Sequence, residues 1–331
     1  MGGHPLKNNL RTVYEFNRPK SVFQIIQERF RSLTWLILIV GMTCASPSAW
    51  SSEPLVDIKW LNDHLDSKAI RIVDLRPASA YMQGHIPGAV NTPYGRWRQT
   101  DKKGIPGMIP SKSYLEKLVG SLGIDNNFLV ILVPPGRHAG DLAIATRIYW
   151  TFNVLGHDTI SILNGGMAAY VKGYPSQLER KEVRPVPTNF TAVFRSGEVP
   201  DSKEVKKALE SGVPLVDSRS PGEYMGSFRG DPNERPGTMP GAINLPFHWL
   251  TENGNGRFPD RESLSSIFKE TNVPIAGDQI YFCHTGHRAS LSWFVSHELL
   301  NNSEARLYDG SMVEWAANPE LPMVSKAKTD R

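Results

Sequence analysis

An apolar strand that ends in an acid occurs twice in this 331-residue chain, and the same motifs follow it each time. A turn with glycine and proline comes next, then an unbroken apolar run and a stretch of helical character. Features that correspond lie 143, 153 and 145 residues apart, which indicates a duplicated domain and not a short solenoid repeat. In order, the paired segments are 71–74 and 214–217, 84–94 and 237–247, and 162–167 and 307–312, and the central apolar runs are 128–133 and 279–282.

The alternation of strands and helices predicts an α/β fold with two domains, each a mostly parallel sheet flanked by helices. The unbroken apolar runs suit strands that are covered on both faces. Prolines and charged residues fill the segment between the copies, which predicts an extended linker. The predicted organisation is a leader at 1–51, a first domain at 53–175, a linker at 176–189 and a second domain at 190–331.

The positive charge of the chain lies at its N-terminus. The formal net charge is +4, and residues 1–32 account for all of it with six basic and two acidic side chains. The rest of the chain is neutral overall, so its charge gives no reason to expect a nucleic-acid partner.

An apolar segment at residues 33–43 follows these basic residues. It is shorter than the roughly 20 residues of a membrane-spanning helix. A short apolar core behind positive charges and before small residues is typical of a secretory signal. We therefore predict a periplasmic or otherwise exported protein, with membrane attachment only through an uncleaved leader. A retained anchor and lipidation of Cys44 are the alternatives.

Taken together, the motifs resemble the tandem form of the rhodanese family of sulfurtransferases over residues 53–325. The resemblance rests on paired Asp-x-Arg strand ends, Gly-x-x-Pro-Gly-Ala turns, Asn-Gly-Gly and Asp-Gly-Ser closings, and one Cys-x-x-Gly-x-Arg loop. It implies an inactive first copy and a catalytic second copy. The implied reaction moves sulfane sulfur from thiosulfate, or a similar donor, to cyanide or a thiol acceptor such as a protein thiol, without a cofactor or metal.

Cys283 follows the apolar run 279–282 and precedes a helix, where the positive end of the helix dipole favours a thiolate. This thiolate is predicted to attack the outer sulfur of thiosulfate and become a persulfide, which a second nucleophile then discharges. Backbone N–H groups of the loop would stabilise the terminal sulfur, and nearby arginine and histidine side chains would add positive charge. The predicted substrate-binding residues are His284, Thr285, Gly286, His287 and Arg288.

Three other interpretations of the loop stay open. Similar phosphatases place five residues between cysteine and arginine, whereas four separate Cys283 from Arg288, and this favours a sulfur atom over a phosphate. Cys283 can also be a buried structural thiol, because free cysteine is among the most buried residue types. A metal site built with His284 and His287 is cramped for tetrahedral geometry.

The donor is less constrained by the sequence. Mercaptopyruvate sulfurtransferases resemble this chain, but they carry an arginine where this chain has Glu223, and that difference favours thiosulfate. Arg229 and Arg235 lie nearby in sequence and could bind a carboxylate, so mercaptopyruvate stays an alternative donor. A sulfur carrier with little turnover is a further alternative.

The first copy has no cysteine at the position of Cys283, where residues 134–138 stand instead, so it cannot form a persulfide. A further set of polar residues is predicted to be structural: His85, Asp74 with Arg76, and Asp217 with Arg219.

Overall fold

Parallel pairing runs through both sheets of the protein, whose computed structural model describes residues 53–231 and 233–327. The first sheet has the order β1-β5-β4-β2-β3, and the second has the order β7-β6-β8-β9. The predicted α/β fold with two helix-flanked parallel sheets is confirmed. The strands are β1 Leu55–Val56, β2 Ile70–Asp74, β3 Val90–Asn91, β4 Leu129–Val133, β5 Ile160–Leu163, β6 Leu215–Asp217, β7 Ile243–Asn244, β8 Gln279–Phe282 and β9 Ala305–Leu307.

Helices connect the strands and cover both faces of each sheet, and short 3-10 turns lie between them. A π-helical segment, Val295–Leu299, continues the helix that follows β8. The α-helices are α1 Ile58–Asp63, α2 Ala78–Gln83, α3 Lys112–Ser121, α4 Ala139–Val154, α5 Gly166–Gly173, α6 Ser202–Glu210, α7 Pro221–Met225, α8 Arg261–Glu270, α9 His287–Phe294 and α10 Ser311–Ala317.

The central strand β4 shows why its apolar run is unbroken. Successive side chains of a strand point to opposite faces of the sheet. Val130 and Leu132 accordingly pack into one core, and Leu129, Ile131 and Val133 pack into another on the opposite face. Every side chain of the strand is therefore buried, as the sequence predicted.

One core is shared by the two copies. It extends from the inner face of the first sheet, through α4 and α9, to the inner face of the second sheet. Small side chains allow these two helices to approach closely, and the Thr146 and Ser290 hydroxyl oxygens lie 2.9 Å apart across the contact. We call this set of buried residues the shared core.

The segment that joins the copies runs along the first one. Thr188 N–H donates to Gly120 O at 2.9 Å, and Val193 N–H donates to Leu155 O at 2.9 Å. Arg195 forms an ion pair with Asp158 of the first copy. Contact with the first copy therefore continues through residues 190–195, which the sequence had allotted to the second domain.

The predicted leader lies outside the described residues. Among the residues that are described, no helix is both long and apolar enough to cross a membrane.

Candidate active site

Cys283 directly follows the central strand β8 of the second sheet, at the edge where parallel strands carry their carboxyl ends. Ligand sites of open α/β sheets form at this edge. The Cys283 side chain is fully buried, with 0% of its surface exposed. The three residues after Cys283 lead into α9, whose positive N-terminal end faces the same edge.

Ser311, the first residue of α10, closes the Cys283 loop into a ring. Its Oγ accepts hydrogen bonds from Cys283 N–H at 3.1 Å and Gly286 N–H at 3.0 Å, and it donates to Tyr308 O at 2.9 Å. Gly286 has a φ of 70°, a left-handed conformation that glycine adopts without strain. A Cβ atom at Gly286 would also lie 2.5 Å from Nη1 of Arg147. The closed loop therefore requires glycine at this position.

The remaining N–H groups of the loop are free to bind an anion. Two backbone carbonyls of the loop are bonded to α10: Cys283 O accepts from Met312 N–H at 3.0 Å, and His284 O accepts from Val313 N–H at 2.9 Å. An array of this kind can stabilise negative charge that develops next to the Cys283 sulfur. Four N–H groups find no acceptor in the described part of the chain: those of His284, Thr285, His287 and Arg288.

Arg288 is paired with Glu223 and not with Asp217. Two hydrogen bonds of 2.7 and 2.8 Å join its guanidinium to the Glu223 carboxylate. Burial alone would raise the pKa of Glu223, but Arg288 and Ser220 outweigh it and lower the pKa to about 2. Burial lowers the pKa of Arg288, but Glu223 and then Cys283 raise it above its ordinary value. Asp217 is already bound by Arg219.

The two histidines of the loop have different environments. His284 lies at the rim, where its Nε2 is 2.6 Å from a Glu234 oxygen. His287 is held by the Tyr94 hydroxyl, 2.7 Å from its Nδ1. The prediction that His287 adds positive charge to the loop is wrong. Its pKa is lowered to about 3, so the imidazole is neutral at physiological pH. Burial is the main cause of this lowered pKa, and three neighbouring charges act in the same direction: those of Arg98, Arg147 and Arg288.

Arg147 reaches the loop from the first copy. It lies on α4, is fully buried, and donates from Nη1 to Gly286 O at 3.2 Å. Its Nη2 is bonded to a carboxylate oxygen of Asp309, whose other oxygen accepts from Ile109 N–H at 2.7 Å. Arg147 therefore joins both copies at the closed end of the loop. The sequence reasoning missed this residue, although a single arginine within an apolar helix was a usable signal.

Arg98 and Tyr94 of the first copy form a second contact with the loop. Arg98 donates from Nη2 to Thr285 O and from Nε to Gly107 O, and its guanidinium lies 5.6 Å from the centre of the Tyr94 ring. Both residues were missed, because Tyr94 stood out only as the last residue of the paired segment 84–94 and Arg98 belongs to no motif.

The loop of the first copy has the same backbone connections but different chemistry. Pro134 O accepts from Met167 N–H at 2.8 Å, just as Cys283 O accepts from Met312 N–H, so Pro134 occupies the position of the thiol. The Asp141 carboxylate bonds Arg137 N–H at 2.9 Å. This loop carries its own negative group and has no nucleophile at the matching position.

The polar residues predicted to be structural form internal contacts. The Asp74–Arg76 and Asp217–Arg219 ion pairs lie at the ends of β2 and β6, and each arginine also binds a backbone carbonyl of the glycine turn that follows. His85 is buried, with Nδ1 2.9 Å from Tyr81 O.

Two arginines near the site in sequence have other partners. Arg235 donates to four backbone carbonyls around the end of α10, so it caps that segment. Arg229 lies on the exposed loop and donates to Glu234 O at 3.4 Å. Over 53–231 and 233–327, no three His, Cys, Asp or Glu side chains cluster as metal ligands would.

Comparison with known proteins gives matches over most of the chain. The sequence model of the rhodanese-like domain matches residues 57–172 and 201–318. The thiosulfate sulfurtransferase of Rattus norvegicus is 32% identical over 297 residues, which cover 84% of this chain and 97% of the rat protein.

Solved structures give matches to both copies together. The 3-mercaptopyruvate sulfotransferase of Escherichia coli aligns with a TM-score of 0.68 at 26% identity, over 78% of this chain and 99% of that protein. An anaerobic ergothioneine biosynthesis enzyme from Chlorobium limicola aligns with a TM-score of 0.71 at 21% identity, over 83% of this chain and 71% of the other. At the lower identity the likeness concerns the fold alone.

Proposed function

This chain belongs to the rhodanese-like family, a family of sulfurtransferases, and we propose that it moves sulfane sulfur from thiosulfate to a small acceptor through a persulfide on Cys283. One observation carries the proposal. Cys283 begins a loop closed by Ser311, in which four backbone N–H groups are left without acceptors at a helix N-terminus. Such a loop suits a negatively charged sulfur atom bound to the cysteine.

The reaction follows from this geometry in two displacements. The Cys283 thiolate attacks the outer sulfur of thiosulfate, an S–S bond forms, and the bond to the sulfonate sulfur breaks with its electron pair to release sulfite. Cyanide or a thiolate then attacks the terminal sulfur of the persulfide and leaves with it, so the Cys283 thiolate is regenerated. The loop N–H groups bind the terminal sulfur in the state between these steps. No step needs an external oxidant or reductant.

Mercaptopyruvate is the second candidate donor, favoured by the likeness to the Escherichia coli 3-mercaptopyruvate enzyme. Its carboxylate would need a free cation near the loop. Arg288 is paired with Glu223, and Arg235 is engaged with backbone carbonyls. The sulfonate of thiosulfate would meet the same occupied arginines, so the preference for thiosulfate rests on Glu223, which stands where mercaptopyruvate sulfurtransferases carry an arginine.

The burial of Cys283 also bears on the alternative that the protein is a sulfur carrier with little turnover. A fully buried thiol is reached by a small acceptor such as cyanide more readily than by a thiol on a protein surface. We therefore propose turnover with small acceptors over delivery to one dedicated protein.

Parallel assays with thiosulfate and with mercaptopyruvate test the proposal, each with cyanide as acceptor. We expect thiocyanate from thiosulfate at the higher kcat/KM. Incubation with thiosulfate alone should add the mass of one sulfur atom to the protein. Cys283→Ser should abolish both signals, and Cys44→Ser is the matched control because it removes the other cysteine of the chain. Substantial turnover by Cys283→Ser would refute the role of Cys283. A higher kcat/KM with mercaptopyruvate would refute thiosulfate as the donor.

We also propose that the protein is exported, on the strength of residues 1–51. Cell fractionation with N-terminal sequencing of the mature protein tests this. An intact N-terminus in the cytoplasmic fraction would refute it.

A further inference from the structure

Each peptide group of the Cys283 loop is held by its carbonyl oxygen. A trans peptide group is planar, so its C=O and its N–H point in opposite directions. A contact that fixes the carbonyl of one residue therefore also fixes the direction of the N–H of the next residue. Residues 283–287 contain four such groups, and four donors hold their carbonyl oxygens: Met312 N–H, Val313 N–H, Arg98 and Arg147.

Two of these donors belong to the second copy and two belong to the first. Backbone N–H groups of α10 hold the first two carbonyls of the loop. Arginines of the first copy hold the other two, Arg98 at Thr285 O and Arg147 at Gly286 O. The second copy therefore orients only half of its own loop through its carbonyls.

The last of these peptide groups joins Gly286 to His287, and its N–H is one of the four without an acceptor among the described residues. Arg147 Nη1 donates to its carbonyl oxygen at 3.2 Å. On the other side of Gly286, Ser311 Oγ binds the Gly286 N–H and the Cys283 N–H. Because the Gly286 carbonyl is turned toward Arg147, the His287 N–H is turned away from it and stays free to bind an anion.

The guanidinium of Arg147 is fully buried and held by several contacts. Its Nη2 is bonded to the Asp309 carboxylate and donates to Gly107 O at 3.3 Å. Its central carbon lies 4.5 Å from the centre of the Trp150 ring. Since the carboxylate of Asp309 offsets the positive charge, Arg147 acts on the loop by orientation and not by net charge.

The second copy has no arginine at the position that matches Arg147. Arg147 is the ninth residue of α4, counted from Ala139. The ninth residue counted from the start of α9 is Val295, whose side chain is apolar and buried. The support therefore runs in one direction, from the copy without a cysteine to the copy that has it.

We propose that Arg147 is a positioning residue for sulfur transfer, which orients the Gly286–His287 peptide so that the His287 N–H binds the terminal sulfur of the persulfide. The inference rests on the proposed function and deepens it, because it assigns the aim of one loop donor to the first copy. Arg147 acts through the loop and not on the substrate. Its loss should shift the equilibrium in which thiosulfate and the Cys283 thiolate form the persulfide and sulfite.

This loading equilibrium tests the proposal on the full-length protein. The protein is incubated with thiosulfate and sulfite in fixed ratios, and intact mass gives the fraction that carries one added sulfur atom. Arg147→Lys keeps a positive charge beside Asp309, but an ammonium lacks the planar fork that reaches two acceptors in fixed directions. We expect this variant to lower the loading constant about 10-fold, the effect of losing one hydrogen bond to a charged group, and to lower kcat with cyanide about 10- to 100-fold.

A double variant separates orientation from loss of the fold. Arg147→Met with Asp309→Asn removes both charges of the buried pair, and the amide oxygen at position 309 can still accept from Ile109 N–H. We expect the same loss of loading in a protein that calorimetry shows to be folded. Thr146→Val is the matched control, because Thr146 also lies on α4 and its hydroxyl contacts Ser290 of the second copy, outside the loop. That control should load sulfur like the wild type.

The outcomes separate orientation from stability. A wild-type loading constant and kcat in either folded variant of Arg147 would overturn the proposal. A lowered melting temperature with unchanged loading of the folded protein would assign Arg147 to stability alone, which also overturns it. An equal loss in Thr146→Val would overturn it as well, because any damage between the two helices would then suffice. A wild-type protein that neither loads sulfur nor turns over would instead refute the proposed function.

Discussion

Glu223→Gln tests whether the ion pair beside the Cys283 loop stabilises the fold. The Glu223 side chain is 11% exposed, and its pKa is lowered from 4.5 to about 2, where Arg288 and Ser220 outweigh the opposing effect of burial. This lowering corresponds to about 3 kcal/mol of stability at neutral pH. The figure is the expected loss of unfolding free energy when the carboxylate becomes an amide.

The loss should depend on pH with a definite sign. A carboxyl group whose pKa is depressed on folding contributes its full stability above its unfolded pKa, and loses it as the pH falls toward the folded value. The difference between wild type and Glu223→Gln should therefore be constant from about pH 7 to about pH 5 and fall below half of its value near pH 3.

Urea unfolding followed by tryptophan fluorescence measures this difference across that range. Glu210→Gln is the matched control, since Glu210 is exposed and paired with Lys206 across one turn of α6. We expect that control to change stability by less than about 0.5 kcal/mol. A loss under about 1 kcal/mol for Glu223→Gln, or a loss independent of pH, would refute the reasoning.

Three further predictions concern the loop and the copies. Arg288→Ala should lower the free energy of unfolding by about 3 to 5 kcal/mol together with activity, because it leaves the buried Glu223 carboxylate without its cation. A lowered melting temperature in calorimetry distinguishes this result from a pure loss of thiosulfate binding. Gly286→Ala should abolish most activity and destabilise more than Gly212→Ala, which shares a positive φ but has open space around it, as denaturant titration of both variants would show. The isolated segment 53–185 should show no thiosulfate turnover at any concentration, and measurable turnover would contradict the assignment of chemistry to the second copy.

Much of the fold was predictable because it depends on local patterns. The run at 279–282 was predicted as a strand and is β8, because Ile280, Tyr281 and Phe282 directly before a turn are typical of a strand that is covered on both faces. The helix predicted near 289–300 begins earlier, at His287, and ends as a π-helical segment. Helix ends depend on capping contacts that hydrophobic patterns do not contain.

The position of Cys283 was predictable because it depends on a local pattern, a strand followed by a short loop and a helix. The electrostatic surroundings of Cys283 were not predictable. Arg288 pairs with the Glu223 carboxylate 65 residues away, and Asp217 is already paired with Arg219. The neutral state of His287 arises from burial beneath Tyr94 of the other copy. Such contacts arise when distant segments meet in the fold, so the order of residues along one strand or loop cannot reveal them.

The shared core has a consequence for how the chain reaches its native state. Proteins fold from the N-terminus as they are made, and domains generally fold as units. The first copy is therefore complete, with α4 exposed, while the second copy is still being synthesised. Since α9 buries its apolar side chains against α4, the second copy finishes folding by docking onto a surface that already exists. The copy that has no thiol thus acts as a template for the one that has it.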